Sequence, residues 1–256
     1  MQTNGGSRVN VRPVAPGIHQ IRHGAVNCFI VVEGERVGLV DAGLPRTAPV
    51  LLEALAHLGR RPADVVGIVI THGHFDHVGF ARWMHEEHQT PIHAHRADLE
   101  LVAHPYRHRP YRNRFLFAAR HPGGWPHLAS MTLGGALRVR GVSDVLPMAE
   151  GKLDWFPGRP ELIHTPGHTD GQCVLHLADR STVITGDALV TLDPYTGRRG
   201  PQIVAPAATN DPALAIRSLE RIADTEAELV LTGHGELWPH GARSAVKIAT
   251  RRSVPR

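Results

Sequence analysis

"THGHFDHVGF", Thr71 to Phe80, places three histidines and an aspartate within six consecutive positions, His72 to His77. The stretch leaves an apolar run, "DVVGIVI", with the β-branched content of a buried strand. It runs into "VGFARWMHEEH", whose spacing predicts a helix. On extended backbone leaving the strand, His72 and His74 point to the same side, so two imidazoles can grip one ion. Asp76 and His77 follow where the helix begins, a place that favours a carboxylate and lets both side chains reach a second ion. The stretch reads as a pair of half-sites. The alternative is a His-rich surface, because the chain holds 19 histidines, and His85, His88, His104, His108 and His121 belong to no motif.

Outward from this stretch, short apolar runs bounded by Gly, Pro and Asp recur: "NCFIVV", "RVGLVDAG", "PELIHTPG", "STVITGD" and "AELVLTGHG". Each predicts a strand. Between them, "APVLLEALAHLG" reads as a helix closed by Gly59, and "DPALAIRSLERIADT" as one capped by Asp211 with Pro212 in its first turn. Strands alternating with helices predict a mixed α/β domain whose helices cover a sheet system. Three of the strand runs end in Gly-containing turns that carry His168, Asp187 and His234. Such turns are where sheet architectures gather functional groups, so four loops can converge on one edge. Each half of the chain has one strand ending in Asp, Asp41 or Asp187, and another ending in a His-bearing turn. That is an echo of topology, short of a sequence repeat.

His72, His74, Asp76, His77, His168, Asp187 and His234 together resemble the pattern of the metallo-β-lactamase-fold superfamily, an HxHxDH sequence followed by single His, Asp and His residues. The resemblance runs from about Ile18 to Glu236. It implies a four-layer αββα sandwich, with one metal ion on His72, His74 and His168, a second on Asp76, His77 and His234, and Asp187 bridging them. Asp41 matches the family's first aspartate. Its expected role is to orient an imidazole from behind, with turn formation as the alternative.

Imidazole and carboxylate ligands without thiolate suit Zn(II) and would also hold Fe(II) or Mn(II), so two zinc ions per chain are the first expectation. A bridging water between them would be acidified toward a pKa of about 7. The expected reaction is attack of metal-bound hydroxide on a lactone, thioester or carboxylic ester, with Asp76 passing the proton to the leaving group. β-Lactam hydrolysis and a mononuclear Fe(II) persulfide dioxygenase are the alternatives. The full ligand set disfavours a non-enzymatic, metal-stabilised binding module. With 22 residues after His234, the helical domain with which glyoxalase II relatives bind a thiol carrier is not expected.

The chain has 256 residues, 42% of them apolar and 20% charged, which is enough for one domain over residues 1–256. A formal charge of +4 would permit an anionic partner but does not require one. A small-molecule substrate is expected, with neither nucleic acid nor membrane. No apolar run is long enough to span a bilayer, and the first residues contain no apolar targeting segment, so a cytoplasmic protein is expected. Cys28 and Cys173 lie in strand runs and read as buried thiols. Tyr195, in "DPYTG", reads as a turn residue. Residues 101–131 mix five arginines with five aromatics. They read either as a solvated basic helix packed on its aromatic face, or as a cap whose aromatics wall the metal cleft.

Overall fold

Alternation of inward and outward apolar side chains along the strands builds the centre of the molecule. The structure is a computed structural model that describes residues 10–253; the residues 1–9, within the stretch read above for a targeting segment, lie outside it. Strands β1 (Asn10–Ala15), β2 (Ile18–His23), β3 (Val26–Glu33) and β4 (Arg36–Val40) form an antiparallel meander. Helix α1 (Ala48–His57) carries the chain to β5 (Val65–Ile70), which joins β4 in parallel. Next come α2 (Phe75–Val78), α3 (Ala81–His88), β6 (Ile92–His95), α4 (Leu99–Ala103), α5 (Arg114–Arg120), α6 (Trp125–Leu133) and β7 (Leu146–Met148). Strands β1 to β7 make one sheet in chain order.

The second sheet has the order β14-β11-β10-β9-β8. Its members are β8 (Gly151–Lys152), β9 (Glu161–His164), β10 (Cys173–Leu177), β11 (Thr182–Gly186) and β14 (Leu229–Thr232). The hairpin of β12 (Val190–Leu192) and β13 (Arg199–Gln202), then α7 (Pro212–Ala223), connect β11 to β14, and α8 (Ala242–Ser253) follows.

Phe29, Val31, Val40 and Val69 of the first sheet pack against Cys173, Leu175, Ile184 and Leu231 of the second. Their neighbours Cys28, Ile30, Leu39 and Ile68 face the other way, onto Leu51 and Leu55 of α1 and Met84 of α3. Val174, Val183 and Val230 likewise meet Leu219 and Ile222 of α7 and Val246 of α8. The layers are therefore helix, sheet, sheet, helix, as expected. Both cysteines are buried free thiols. No helix among the described residues is long and apolar enough to cross a membrane.

The halves echo each other here too. In the first sheet the parallel pair β4 and β5 ends at Asp41 and His72; in the second, the parallel pair β11 and β14 ends at Asp187 and His234. Side chains at the carboxyl ends of both pairs therefore emerge at one edge of the sandwich.

Two sequence expectations need correction. "VGFARWMHEEH" is not one helix: α2 stops at Val78 and α3 starts at Ala81. Gly79 N–H donates to the Gly43 carbonyl (2.9 Å) and Phe80 N–H to that of Ala42 (3.0 Å), so these amides leave the helical ladder. The approach is so close that a Cβ at Gly79 would run into the Gly43 carbonyl oxygen. Residues 101–131 are likewise no continuous helix, and their aromatics do not form a wall. Phe115 (78% exposed) and Tyr111 (62%) face solvent, as does Trp125, while Phe117 packs inward near Tyr195.

Candidate metal centre

Strand β5 delivers His72 and His74 on extended backbone, and the short α2 presents Asp76 and His77 one turn later. His168 comes from the loop between β9 and β10, Asp187 from the end of β11 and His234 from the end of β14. All seven side chains predicted from the sequence are buried and converge. Three groups, His72/His74/His168, His72/His77/Asp187 and Asp76/His77/His234, each bring their donor atoms within 4.8 Å of one another.

Asp187 lies in the middle. Its Oδ2 is 3.2 Å from His234 Nε2, 3.5 Å from His168 Nε2 and 4.0 Å from His72 Nε2, and its Oδ1 is 3.4 Å from His77 Nε2. Asp76 Oδ2 is 3.3 Å from His234 Nε2. His74 turns Nδ1 to within 3.0 Å of His168 Nε2. Among the described residues, His72 Nε2, His77 Nε2 and Asp187 Oδ1 are buried without a hydrogen-bond partner. Buried polar atoms are normally paired. Inward-facing imidazole nitrogens left unpaired around a carboxylate form a donor set suited to borderline divalent cations.

The outer atoms of most of these groups are held in place. Asp41 Oδ2 faces His77 Nδ1 at 2.8 Å, while Oδ1 accepts from Thr71 N (2.7 Å). Asp41 itself sits at φ +64°, a left-handed conformation that Asp tolerates better than most residues. The Ala25 carbonyl accepts from His234 Nδ1 at 2.8 Å, and Thr209 Oγ1 lies 3.2 Å from His168 Nδ1. Gly233 backs the centre: a Cβ there would collide with Asp187 Oδ1.

Electrostatics divide the cluster in two. Burial, then neighbouring imidazoles, hold His72 and His74 well below the usual range, and burial brings His168 down to about 4 against the pull of Asp187. These three are neutral. Burial also opposes charge on His77, but Asp41, Asp187 and Asp76 outweigh it and push this imidazole up to about 9. His234 is raised well above its ordinary value by Asp187 and Asp76, again against burial. For Asp187, burial acts upward and is overcome by His234 and His77, so the carboxyl lies below the usual range.

The metallo-β-lactamase superfamily model matches residues 21–234, most of the chain and every residue of the cluster. The chain belongs to that superfamily. It is thereby a metal-dependent hydrolase by family. It is 26% identical to the probable metallo-hydrolase YflN of Bacillus subtilis over 86% of this chain and 84% of that protein. It is 25% identical to the N-acyl homoserine lactonase AiiA of Bacillus thuringiensis subsp. kurstaki, over 81% and 80%. Among solved structures, the metallo-β-lactamase family protein TTHA1429 of Thermus thermophilus aligns with a TM-score of 0.67 at 24% identity, covering 93% of this chain and 79% of that one. TTHA1623, solved in a di-iron-bound form, aligns with a TM-score of 0.56 at 24% identity, over 86% and 92%.

Three residues of this superfamily member's centre went unread in the sequence. Asp98 is buried, and it accepts from Gly73 N (2.9 Å), Thr169 Oγ1 (2.7 Å) and Gly171 N (2.7 Å), tying the loop of His72 and His74 to that of His168. Unlike Asp41, which directly follows β4, Asp98 lies three residues past the end of β6 in a 3-10 turn, so no strand-end signal marks it. Asn27 donates through Nδ2 to the carbonyls of Thr232 and Gly235, bracing the His234 turn, and had no signal. His108, set aside above as a histidine without a motif, packs on His74 with ring centroids 4.5 Å apart. Tyr195 does sit in a turn, where its N–H donates to Asp193 Oδ1, yet its side chain is buried and pushed up to about 12, by burial first and then by Asp76.

Proposed function

We propose that the chain is a two-ion hydrolase, zinc being the first candidate, that opens a small lactone, thioester or carboxylic ester in the cytoplasm. The observation that carries this reading is Asp187, a single buried carboxylate within 4.0 Å of imidazole nitrogens from both sides of the cluster. Two divalent ions bound there would acidify a water toward a pKa of about 7 and draw electron density from a substrate carbonyl. His72, His74 and His168 would hold one ion and Asp76, His77 and His234 the other, with Asp187 shared.

The chain's own groups supply the remaining chemistry. Asp76 faces His234 through Oδ2, which leaves Oδ1 to take the proton of the attacking water and hand it to the leaving oxygen or sulfur. Asp41 fixes the His77 ring, so that its Nε2 stays aimed inward. A cavity of about 390 Å³ is lined by Asp98, Arg107, His108, Arg109 and Asn210, among others, and meets the centre through His108, which packs on His74. None of the seven ligand candidates lines it, so it suits only a remote part of the substrate. Arg109 lines this cavity and makes no salt bridge among the described residues, so it is free to meet a carboxylate or carbonyl oxygen there. Residues 101–131 then serve as the cap over this cavity within one domain spanning residues 1–256. Similarity to a protein named N-acyl homoserine lactonase favours the lactone among the three ester classes.

The test is a panel of lactones, thioesters, β-lactams and glutathione persulfide offered to zinc-loaded and iron-loaded protein. Acid release from a lactone or thioester without oxygen uptake is expected. Persulfide-dependent oxygen uptake by the iron form, with no hydrolysis by either, would overturn the reading.

A further inference from the structure

Four of the five imidazoles in the centre have a partner on the nitrogen that faces away from it. For His72 it is Thr71 Oγ1, for His77 Asp41, for His168 Thr209 and for His234 the Ala25 carbonyl. His74 is the exception. Its Nδ1 points inward to His168, and its outward Nε2 is buried with no hydrogen bond among the described residues. Imidazoles that hold metal ions nearly always donate their second N–H, because that bond fixes the tautomer and the ring plane.

The ring lying against His74 is that of His108, at 4.5 Å between centroids and 61° between planes. His108 is only 8% exposed, and neither of its nitrogens meets a partner with hydrogen-bond geometry. Two buried imidazoles in contact, each with unpaired nitrogen, can satisfy each other. Two edge-on imidazoles joined by an N–H···N bond of about 2.9 Å have centroids about 5 Å apart, so turning the rings with a slight shift suffices.

We infer that His108 is the outer partner of His74, accepting its Nε2–H on one ring nitrogen and presenting the other to the nearby backbone of Ala207. His108 acts through His74, which makes it a positioning residue. The inference rests on His74 being a metal ligand, as proposed above.

The surrounding backbone gives this pair a wider consequence. The segment that carries His108 is anchored by Tyr111 N–H on the Thr209 carbonyl and Arg112 N–H on that of Pro206, both at 2.9 Å. Thr209 also supports His168. One piece of the cap thus steadies two members of the His72/His74/His168 group. The outer partners of His77 and His234, Asp41 and Ala25, come from the first sheet and its turns. Through these hydrogen bonds the cap position is coupled to the His72/His74/His168 site.

Zinc binding to metal-free protein, measured by competition with a chromophoric chelator, tests this on the wild type, His108→Phe and His108→Gln. Phe keeps a flat ring on His74 without nitrogens, whereas Gln restores an acceptor. The Phe variant should weaken one of two bound zinc ions by about 10–100-fold, leave the other within about twofold, and be largely rescued by Gln. Equal binding of both ions by the Phe variant and the wild type would overturn the inference alone, as would a loss shared by both ions or not restored by Gln. A wild type that takes up no zinc would show instead that the centre itself is misread, and the inference would fall with it. A readout free of variants is the imidazole region of the ¹H–¹⁵N spectrum of zinc-loaded wild type. It should hold a His74 Nε2–H signal protected from exchange, and an unprotected His74 Nε2–H would also overturn the pairing.

Discussion

Asp76 is the residue at which loss of charge and loss of structure separate most cleanly. It is buried on α2, close to His234 and His77 but, among the described residues, bonded to no backbone amide of another loop. Asp76→Asn keeps the volume and should fold, while turnover on the best substrate of the panel falls by about 10²-fold or more. Unchanged turnover at full metal occupancy would refute its role. His77 gives a second prediction. With its pKa raised to about 9 it is protonated at pH 7, and an incoming cation needs the Nε2 lone pair. Metal loading at pH 7 should therefore release protons, and apparent affinity should rise as pH increases toward about 9. Titration calorimetry in buffers of different ionisation enthalpy reads this directly, and heats independent of the buffer would contradict it. Of the seven ligand candidates, His72, His74, Asp76 and His77 were legible because the HxHxDH spacing is local, and His168, Asp187 and His234 because each follows an apolar strand run in a Gly-containing turn. His108, Asp98 and Asn27 were not, because each acts through a contact far along the chain that no local pattern encodes.

Elements were legible where one face is buried and the ends carry their own signals. Helix α7 begins as read: Asp211 Oδ1 accepts from Leu214 N at 2.9 Å, and Pro212 opens the first turn. Asp211→Ala should remove about 1 kcal/mol of stability. In a chain of this size that is a fall of about 2–4 °C in Tm, which Asp211→Asn should largely avoid and thermal unfolding will show. The break at Gly79 was not legible, because it arises from the backbone of residues 42–44 arriving from another part of the sheet. The helix and aromatic wall expected over residues 101–131 fail for a related reason. Alternating Arg and aromatic residues have no fixed inward face until a partner surface is present, and here backbone bonds to the 206–209 turn set the orientation. The short strands β6, β7, β8, β12 and β13 went unread because two to four residues carry no usable periodicity, and β1 and β2 because polar and charged residues interrupt their apolar positions.

At the scale of the molecule, the order of strands and helices implied a layered α/β architecture, and the echo of Asp-ending and His-ending strands foreshadowed how the site is built. Two sheets, each with a parallel strand pair at its functional edge, bring four loops together with the inter-sheet core behind them. What sequence patterns could not specify is how tightly the two halves interlock. Asn27 of β3 on the turn after β14, and Cys173 N on the Thr71 carbonyl (3.0 Å), make the centre a property of both sheets at once. The most direct measurement is elemental analysis of protein prepared without added metal and then saturated with zinc and freed of excess. The expected result is two ions per chain in the wild type, falling when Asp187 is replaced by Ala. A wild type that saturates at one ion per chain, with the Asp187→Ala variant unchanged, would contradict the shared two-ion centre on which the account depends.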